Sequence, residues 1–222
     1  MDNIENFRKN MKHPDIMTKH SVAVRLWHWS TLIIIMGSLV TVLLNSTLFD
    51  VKNNASYIQE QLQSVSVNLT PQQAKHVAHG LEDKVWDVHS YFGIALAALF
   101  LFRLLSSFFE TKEQRFFFIL KKYIKNYRTL SKKSTQALHD VAVRVLYLLF
   151  YIFLSIMILT GLSLTFKKEL DIDPATSHSI KEFHEFSMYI ILAFIAVHMM
   201  GILLAELGKD RGIVSQMING HK

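Results

Sequence analysis

Histidine is the residue type whose number and placement could support chemistry in this chain. The 222 residues include 11 histidines and no cysteine, which excludes disulfides, thiolate metal sites and cysteine nucleophiles. Four histidines lie in, or at the edge of, long apolar stretches: His28, His89, His184 and His198. Ionisable side chains inside a membrane are costly and commonly mark function. Any one of them alone is equally explained as an interfacial side chain that hydrogen-bonds a backbone carbonyl, so the four are considered together.

The spacing of these histidines predicts two pairs. His184 and His198 are 14 residues apart, and on one helix this is about four turns and about 21 Å, so both rings share a face. His89 and His184 each stand at the start of an apolar stretch and match in depth. His28 matches His198 to within about five residues, or about 7 Å, which helix tilt can absorb. We therefore predict that His28 faces His198 and that His89 faces His184.

Two neutral imidazoles that face each other suit the axial positions of a haem iron. They lack the further ligands that a tetrahedral zinc site requires, whereas a porphyrin supplies the other ligands of an iron. A flat macrocycle also needs small residues beside it, and Gly93 and Gly201 closely follow His89 and His198, although glycine in membrane helices also serves packing. No C-x-x-C-H motif occurs, so the prediction is two non-covalently bound haem b groups.

Four apolar stretches are long enough to place these histidines within a membrane, since a spanning helix needs about 20 mainly apolar residues. They cover residues 26–44, 90–109, 145–166 and 186–205. Charged residues make up 19% of the chain, compared with about 25% in soluble domains. The first stretch is too long for a signal peptide and lacks its cleavage site. The sequence predicts an all-α fold, in which residues 1–222 form a single integral membrane domain built as a four-helix bundle.

The basic residues predict the orientation of the bundle. Sixteen Lys and Arg lie before the first span, between the second and third, and after the fourth, against six in the other two connections. Because cytoplasmic segments carry the excess of basic residues, both termini are predicted to be cytoplasmic. The net charge of +6 then reflects topology, and no nucleic-acid partner is expected. The connection 45–87 would lie outside, with its Gln-rich part forming one short amphipathic helix on the membrane surface.

Several short motifs resemble one protein family. They are RLWHW (25–29), HSYFG (89–93) with a later FR (102–103), LTG (159–161), the H-x13-H spacing of the fourth span and GIVSQMINGHK (212–222). From residue 19 to 222 the chain resembles the b-type cytochrome subunits of membrane-bound nickel-iron hydrogenases and related prokaryotic dihaem cytochromes b, which include formate dehydrogenase gamma subunits. The resemblance implies haem ligation by the four membrane histidines, and electron transfer between a periplasmic partner and the quinone pool. The long connection 45–87 departs from the hydrogenase subunits and leaves the partner open.

His139 and Asp140 are the candidate quinone-site residues. They lie at the predicted inner start of the third span, the region in which the resemblance implies quinone binding. A protonatable pair there could deliver protons to a bound quinone. The alternative interpretation is that Asp140 caps the third helix while His139 faces water. A zinc or copper site at His76 and His79, spaced i, i+3, is a separate hypothesis.

Three functions are compatible with the sequence. The leading hypothesis is a dihaem b-type cytochrome of the bacterial cytoplasmic membrane that carries electrons between an extracytoplasmic partner, hydrogenase- or dehydrogenase-like, and quinone. Such a chain would be the electron-transfer subunit of an oxidoreductase complex. The alternative is a stand-alone quinone-coupled oxidoreductase that acts on a small periplasmic substrate such as superoxide or ferric ion. A transporter whose histidines relay protons is the third, and it predicts no Soret absorbance.

Overall fold

The computed structural model describes residues 22–108, 135–208 and 212–220, and their regular elements are all helices. These are α1 (Val22–Thr47), α2 (Val51–Ser64), α3 (Pro71–Phe108), α4 (Thr135–Thr165), α5 (Pro174–Leu207) and α6 (Ile213–Asn219). Helices α1, α3, α4 and α5 are long and apolar enough to cross a membrane. The prediction of an all-α membrane protein with four spans is confirmed.

Two antiparallel helix pairs build the bundle. Helix α1 packs against α3, α4 packs against α5, and α3 joins the two pairs by packing against α4. Leu96, Leu154, Ile158 and Ile191 form the buried cluster where these helices meet. At most 11% of any spanning window is buried inside the protein, as expected for helices whose outer surfaces face lipid. The inner end of the bundle is defined here as the end that carries Val22 and α6, and the outer end as the end that carries α2.

Helix α3 begins much earlier than the apolar stretch that predicted it. It starts at Pro71 and runs for 38 residues, whereas the predicted span began at residue 90. A capping box explains the start: the Thr70 N–H donates to Gln73 Oε1 at 2.9 Å, and the Gln73 N–H donates to Thr70 Oγ1 at 3.3 Å. A helix of this length is about 57 Å long and the bilayer core only about 30 Å thick. The polar first part of α3 therefore projects beyond the outer end.

The Gln-rich connection forms two elements, so the prediction of one short helix on the membrane surface was wrong. The IQEQLQ run lies in α2, and PQQAKHVAH opens α3. Helix α2 packs against α3, and Gln59 Nε2 donates to the Leu69 carbonyl at 3.1 Å. Ala74 and Ala78 of α3 are fully buried. Such small side chains let neighbouring helices approach closely. The connection is thus a helical hairpin that extends α3 outward.

Asp173 starts helix α5 at the outer end. Its carboxylate accepts hydrogen bonds from the Ala175 and Thr176 N–H groups at 3.0 and 3.1 Å, and Pro174 occupies the first turn. Hydrogen bonding, above all from Thr176, lowers the pKa of the Asp173 carboxyl. The cap is therefore ionised at neutral pH, and its stabilising contribution is lost only as the pH falls through this lowered pKa.

Candidate functional site

The structure places the four membrane histidines in two facing pairs. The ring centroids of His28 (α1) and His198 (α5) are 6.3 Å apart, with 59° between the ring planes. The centroids of His89 (α3) and His184 (α5) are also 6.3 Å apart, at 80°. The first pair lies towards the inner end and the second towards the outer end. Helix α5 contributes one ring to each pair, because its two histidines share a face.

The separation of the rings fits one metal ion between each pair. A histidine nitrogen binds a transition metal at about 2.0–2.1 Å, and about 1.15 Å from nitrogen to ring centre on each side brings the centroid separation to about 6.3–6.5 Å. Within the described part of the chain, no three His, Asp or Glu side chains lie close enough to hold a metal ion. Each pair thus offers two imidazoles, the donor set that suits an iron already held by a porphyrin.

Two glycines follow histidines of the pairs on the same helices. A Cβ atom built on Gly93 or on Gly201 would meet nothing within 4 Å. Gly93 lies one helical turn beyond His89, and Gly201 lies one turn beyond His198, so each glycine is on or near the helix face of its histidine. The ring separations of 6.3 Å fit a metal-bearing macrocycle at both positions, while packing of haem against these glycines stays a prediction.

A threonine hydroxyl lies within hydrogen-bonding distance of the Nδ1 atom of each histidine in the outer pair. Thr41 Oγ1 of α1 is 2.9 Å from His89 Nδ1, and Thr160 Oγ1 of α4 is 2.8 Å from His184 Nδ1. In both cases the threonine comes from the helix packed against the one that carries the histidine. These contacts leave Nε2 of each ring as the nitrogen available to a metal.

Gly161, which follows Thr160, makes room for the ring of His184. A Cβ atom at this position would lie 3.1 Å from His184 Cε1, closer than an ordinary van der Waals contact. The LTG motif of α4 therefore makes two contacts with His184. The Thr160 hydroxyl faces its Nδ1 atom, and Gly161 leaves room for its ring because it has no side chain. In the sequence this motif indicates only a family resemblance, and neither contact with His184 could be predicted from it.

Aromatic rings pack against three of the four imidazoles. Trp29 lies edge-on to His28, and Trp86 lies edge-on to His89, each at 5.4 Å between centroids. Phe194 stacks on His198 at 5.8 Å, with only 7° between the planes. These contacts restrict the rotation of the three imidazole rings.

The RLWHW motif holds the C-terminal helix against the inner end. Arg25 Nη1 donates to the Ile218 carbonyl at 2.7 Å, and Trp29 Nε1 donates to the Met217 carbonyl at 2.9 Å. These carbonyls belong to the last turn of α6, where no intrahelical donor is available. His28 lies between Arg25 and Trp29 in the sequence. The two motifs at opposite ends of the chain are therefore parts of one structure beside the inner pair.

The first turn of α6 is held by a carboxylate from α5. Glu206 accepts hydrogen bonds from the N–H groups of Gly212 and Val214, both at 2.9 Å. An anion at the start of a helix complements its dipole. Gly212 and Gly220 flank α6 with φ angles of 93° and 75°, a region that glycine adopts without steric cost. Both ends of this short helix are thereby fixed.

The sequence of this chain matches one known protein family. A model of the family described as prokaryotic cytochrome b561 matches residues 19–220. The chain belongs to the prokaryotic cytochrome b561 family. This confirms the family that the sequence motifs indicated. Neither a curated protein nor a solved structure matches the chain. The protein is thus a multi-pass b-type cytochrome of the bacterial cytoplasmic membrane that takes part in electron transfer.

Two further predictions concern histidines outside the pairs. His139 and Asp140 lie in the first two turns of α4, but their side chains lie outside the described residues. In this cytochrome His79 Nδ1 is 3.3 Å from Glu82 Oε2, on the projecting part of α3. Among the described residues, His76 and His79 belong to no group of three His, Asp or Glu side chains that could hold a metal ion. The structure gives no support to a zinc or copper site there.

Proposed function

We propose that the cytochrome binds two haem b groups, one between His28 and His198 and one between His89 and His184. We further propose that it transfers electrons between a periplasmic redox partner, hydrogenase- or dehydrogenase-like, and the membrane quinone pool. The observation that carries the proposal is the pair of equal ring separations, 6.3 Å each, with one ring of each pair on α5. When bound, haem b supplies reversible one-electron chemistry. The protein residues bind it, orient its ligands and exclude water.

The position of the pairs supports a path across the membrane. His184 and His198 are separated by 14 residues of one continuous helix, a rise of about 21 Å. Each pair therefore lies near one surface of a bilayer core about 30 Å thick. An electron donor outside would meet the outer pair first, and quinone would exchange electrons at the inner pair. In the described part of the chain, lipid-facing helices surround both histidine pairs.

The orientation of the bundle is the first testable part of this proposal. With sixteen basic residues on one side against six on the other, a reporter fused after Lys222 or inserted near Ser131 should report the cytoplasm. A reporter inserted near Asn54 should report the outside. Paired phosphatase and fluorescent fusions in intact cells make the measurement. An outside signal from the Lys222 fusion would reverse the inner and outer assignment of the two histidine pairs.

We propose that quinone binds at the inner end near His139 and Asp140. Quinone reduction consumes protons, and a histidine beside a carboxylate can supply them near neutral pH. The double variant His139→Ala with Asp140→Asn should keep both haem spectra. It should slow haem reoxidation by a water-soluble quinone analogue by at least about tenfold, or about 1.4 kcal/mol on the barrier.

Stopped-flow spectroscopy of the reduced, purified protein measures this rate. His178→Ala, which replaces an exposed histidine on α5 that pairs with Glu182 at 3.5 Å, is the control and should reoxidise at the wild-type rate. Unchanged reoxidation of the double variant would mean that His139 and Asp140 take no part in the reaction with quinone, and that quinone binds elsewhere. Because α4 already begins at Thr135, Asp140 is inside the helix and is not its cap.

A second candidate function is favoured by an open surface pocket at the outer end. It has a volume of about 580 Å³ and lies between the α4–α5 turn and the first turns of α5. Its charged lining is mostly basic, with Lys167, Lys168 and Lys181 against Asp171, and His178 also lines it. Such a pocket suits a small anion, which favours a stand-alone oxidoreductase acting on superoxide. Quinone-dependent superoxide consumption by the purified chain without a partner would select this function, whereas co-purification with a dehydrogenase-type subunit would select the first.

A further inference from the structure

We infer that Thr41 and Thr160 are positioning residues that lower the reduction potential of the haem held by His89 and His184. Each would do so by accepting a hydrogen bond from the Nδ1–H group of the ligand ring. The inference rests on the proposed function, because it needs these two histidines to be the outer ligands. It assigns two threonines, on two different helices, to the control of one redox centre.

Each threonine hydroxyl donates its proton to a backbone carbonyl of its own helix. Thr41 Oγ1 lies 2.6 Å from the Ser38 carbonyl. Thr160 Oγ1 lies 2.7 Å from the Ile156 carbonyl and 3.1 Å from the Met157 carbonyl. Carbonyls only accept, and a hydroxyl has one proton and two acceptor lone pairs. Each hydroxyl therefore donates to a carbonyl and presents a lone pair to the imidazole.

The geometry selects one tautomer for each outer ring. With Oγ1 acting as an acceptor at 2.9 Å from His89 and 2.8 Å from His184, the ring proton lies on Nδ1. The hydroxyl and the carbonyl of Ser38 also face His89 Nδ1, but both are 3.3 Å away, so Thr41 is the nearest partner. The Nε2 lone pair of each ring is then directed to the metal, as expected when a ligand histidine donates its other N–H.

The hydrogen bond also changes the electron donation of the ligand. An acceptor on Nδ1–H draws the proton away from the ring and makes the opposite nitrogen more basic. A more basic ligand stabilises ferric iron relative to ferrous iron and lowers the reduction potential. Since both rings of the outer pair carry this contact, the two effects add on the same iron. A low-potential outer centre would favour passing an electron onward from the donor side.

Valine variants separate the hydrogen bond from the packing, because valine keeps the branched shape and lacks the hydroxyl. In Thr41→Val and Thr160→Val, the ferric–ferrous equilibrium of one haem should shift towards ferrous by about tenfold, or about 59 mV for one electron. The potential of the other haem should not change. Thr41→Ser and Thr160→Ser should restore the wild-type potential. Spectroelectrochemical titration of the full-length, haem-loaded protein in detergent measures both potentials.

Matched controls come from the same two helices. Thr47 on α1 donates to the Leu43 carbonyl, and Thr165 on α4 donates to the Gly161 carbonyl. Their valine variants remove a hydroxyl of the same kind without touching a ligand ring, and both should leave the two potentials unchanged. A purely structural role for Thr41 and Thr160 predicts altered stability without a selective shift in potential.

The outcomes are distinguishable. Two bound haems with unchanged potentials in both valine variants would overturn the inference and leave the proposed function intact. Loss of one haem in the valine variants, with retention in the serine variants, would support the hydrogen bond as the feature that positions the ligand. Equal loss in valine and serine variants would overturn it. A wild-type protein with no haem would overturn the proposed function itself.

Discussion

His184→Ala should bind half as much haem as the wild-type cytochrome, and His198→Ala should also bind half. Each substitution removes one imidazole from a different pair, since the partner rings are His89 and His28, and a single imidazole leaves the iron without its second axial ligand. Because α5 supplies a ring to both pairs, the double variant should bind none. Haem content per chain, measured as the pyridine haemochrome of purified protein, gives the result.

His178→Ala is the matched control for these variants. His178 lies on the same helix and is exposed, with 73% of its side chain accessible, so the variant should keep the full haem content. The spectra of the two single variants should differ and should add up to the wild-type spectrum. Retention of two haems by both His184→Ala and His198→Ala would show that the four histidines are not the ligands.

Gly161→Leu should remove the outer haem although it replaces none of the four histidines. The first side-chain atom at this position would already lie 3.1 Å from His184 Cε1, and the remaining leucine atoms have no space beside a packed ring. The ring must therefore move away from Thr160 and from its position opposite His89. We expect haem content to fall to about half, with the spectrum of His184→Ala.

Gly80→Leu is the control for Gly161→Leu. Gly80 also lies within a helix, but a Cβ there would meet nothing within 4 Å. Both substitutions replace glycine by leucine within a helix and raise helix propensity by a similar amount, so a loss of haem from Gly161→Leu alone cannot come from helix propensity. Full haem content in Gly161→Leu would mean that α4 can move aside, and that the close approach of this helix does not position the ligand.

The membrane fold could be predicted because it depends on composition along the chain. Each of the four spanning helices contains an apolar stretch of bilayer length, and the 14-residue spacing on α5 follows from helix geometry. The start of α3 was missed because residues 71–89 are polar and carry no apolar signal. The Thr70–Gln73 capping box was nevertheless present in the sequence as T-x-x-Q, and it would have placed the helix start at Pro71.

The hydrogen bonds that orient the ligands could not be predicted, because they join residues distant in the sequence. Thr41 and His89 are 48 positions apart, and Arg25 and Ile218 are 193 apart. Which face of α1 meets α3 depends on helix rotation, and apolar spans with lipid on most sides give little periodicity from which to read it. Motifs such as LTG and RLWHW marked these places without revealing the contacts.

The number of haem b groups per chain tests the central claim most directly. The wild-type protein, purified in detergent and assayed as its pyridine haemochrome against protein concentration, should contain two haem b per chain, one for each histidine pair. Redox titration of the same sample should resolve two one-electron transitions. A content of one haem per chain would contradict the assignment of both pairs as haem sites, and the absence of a Soret band would contradict the account as a whole.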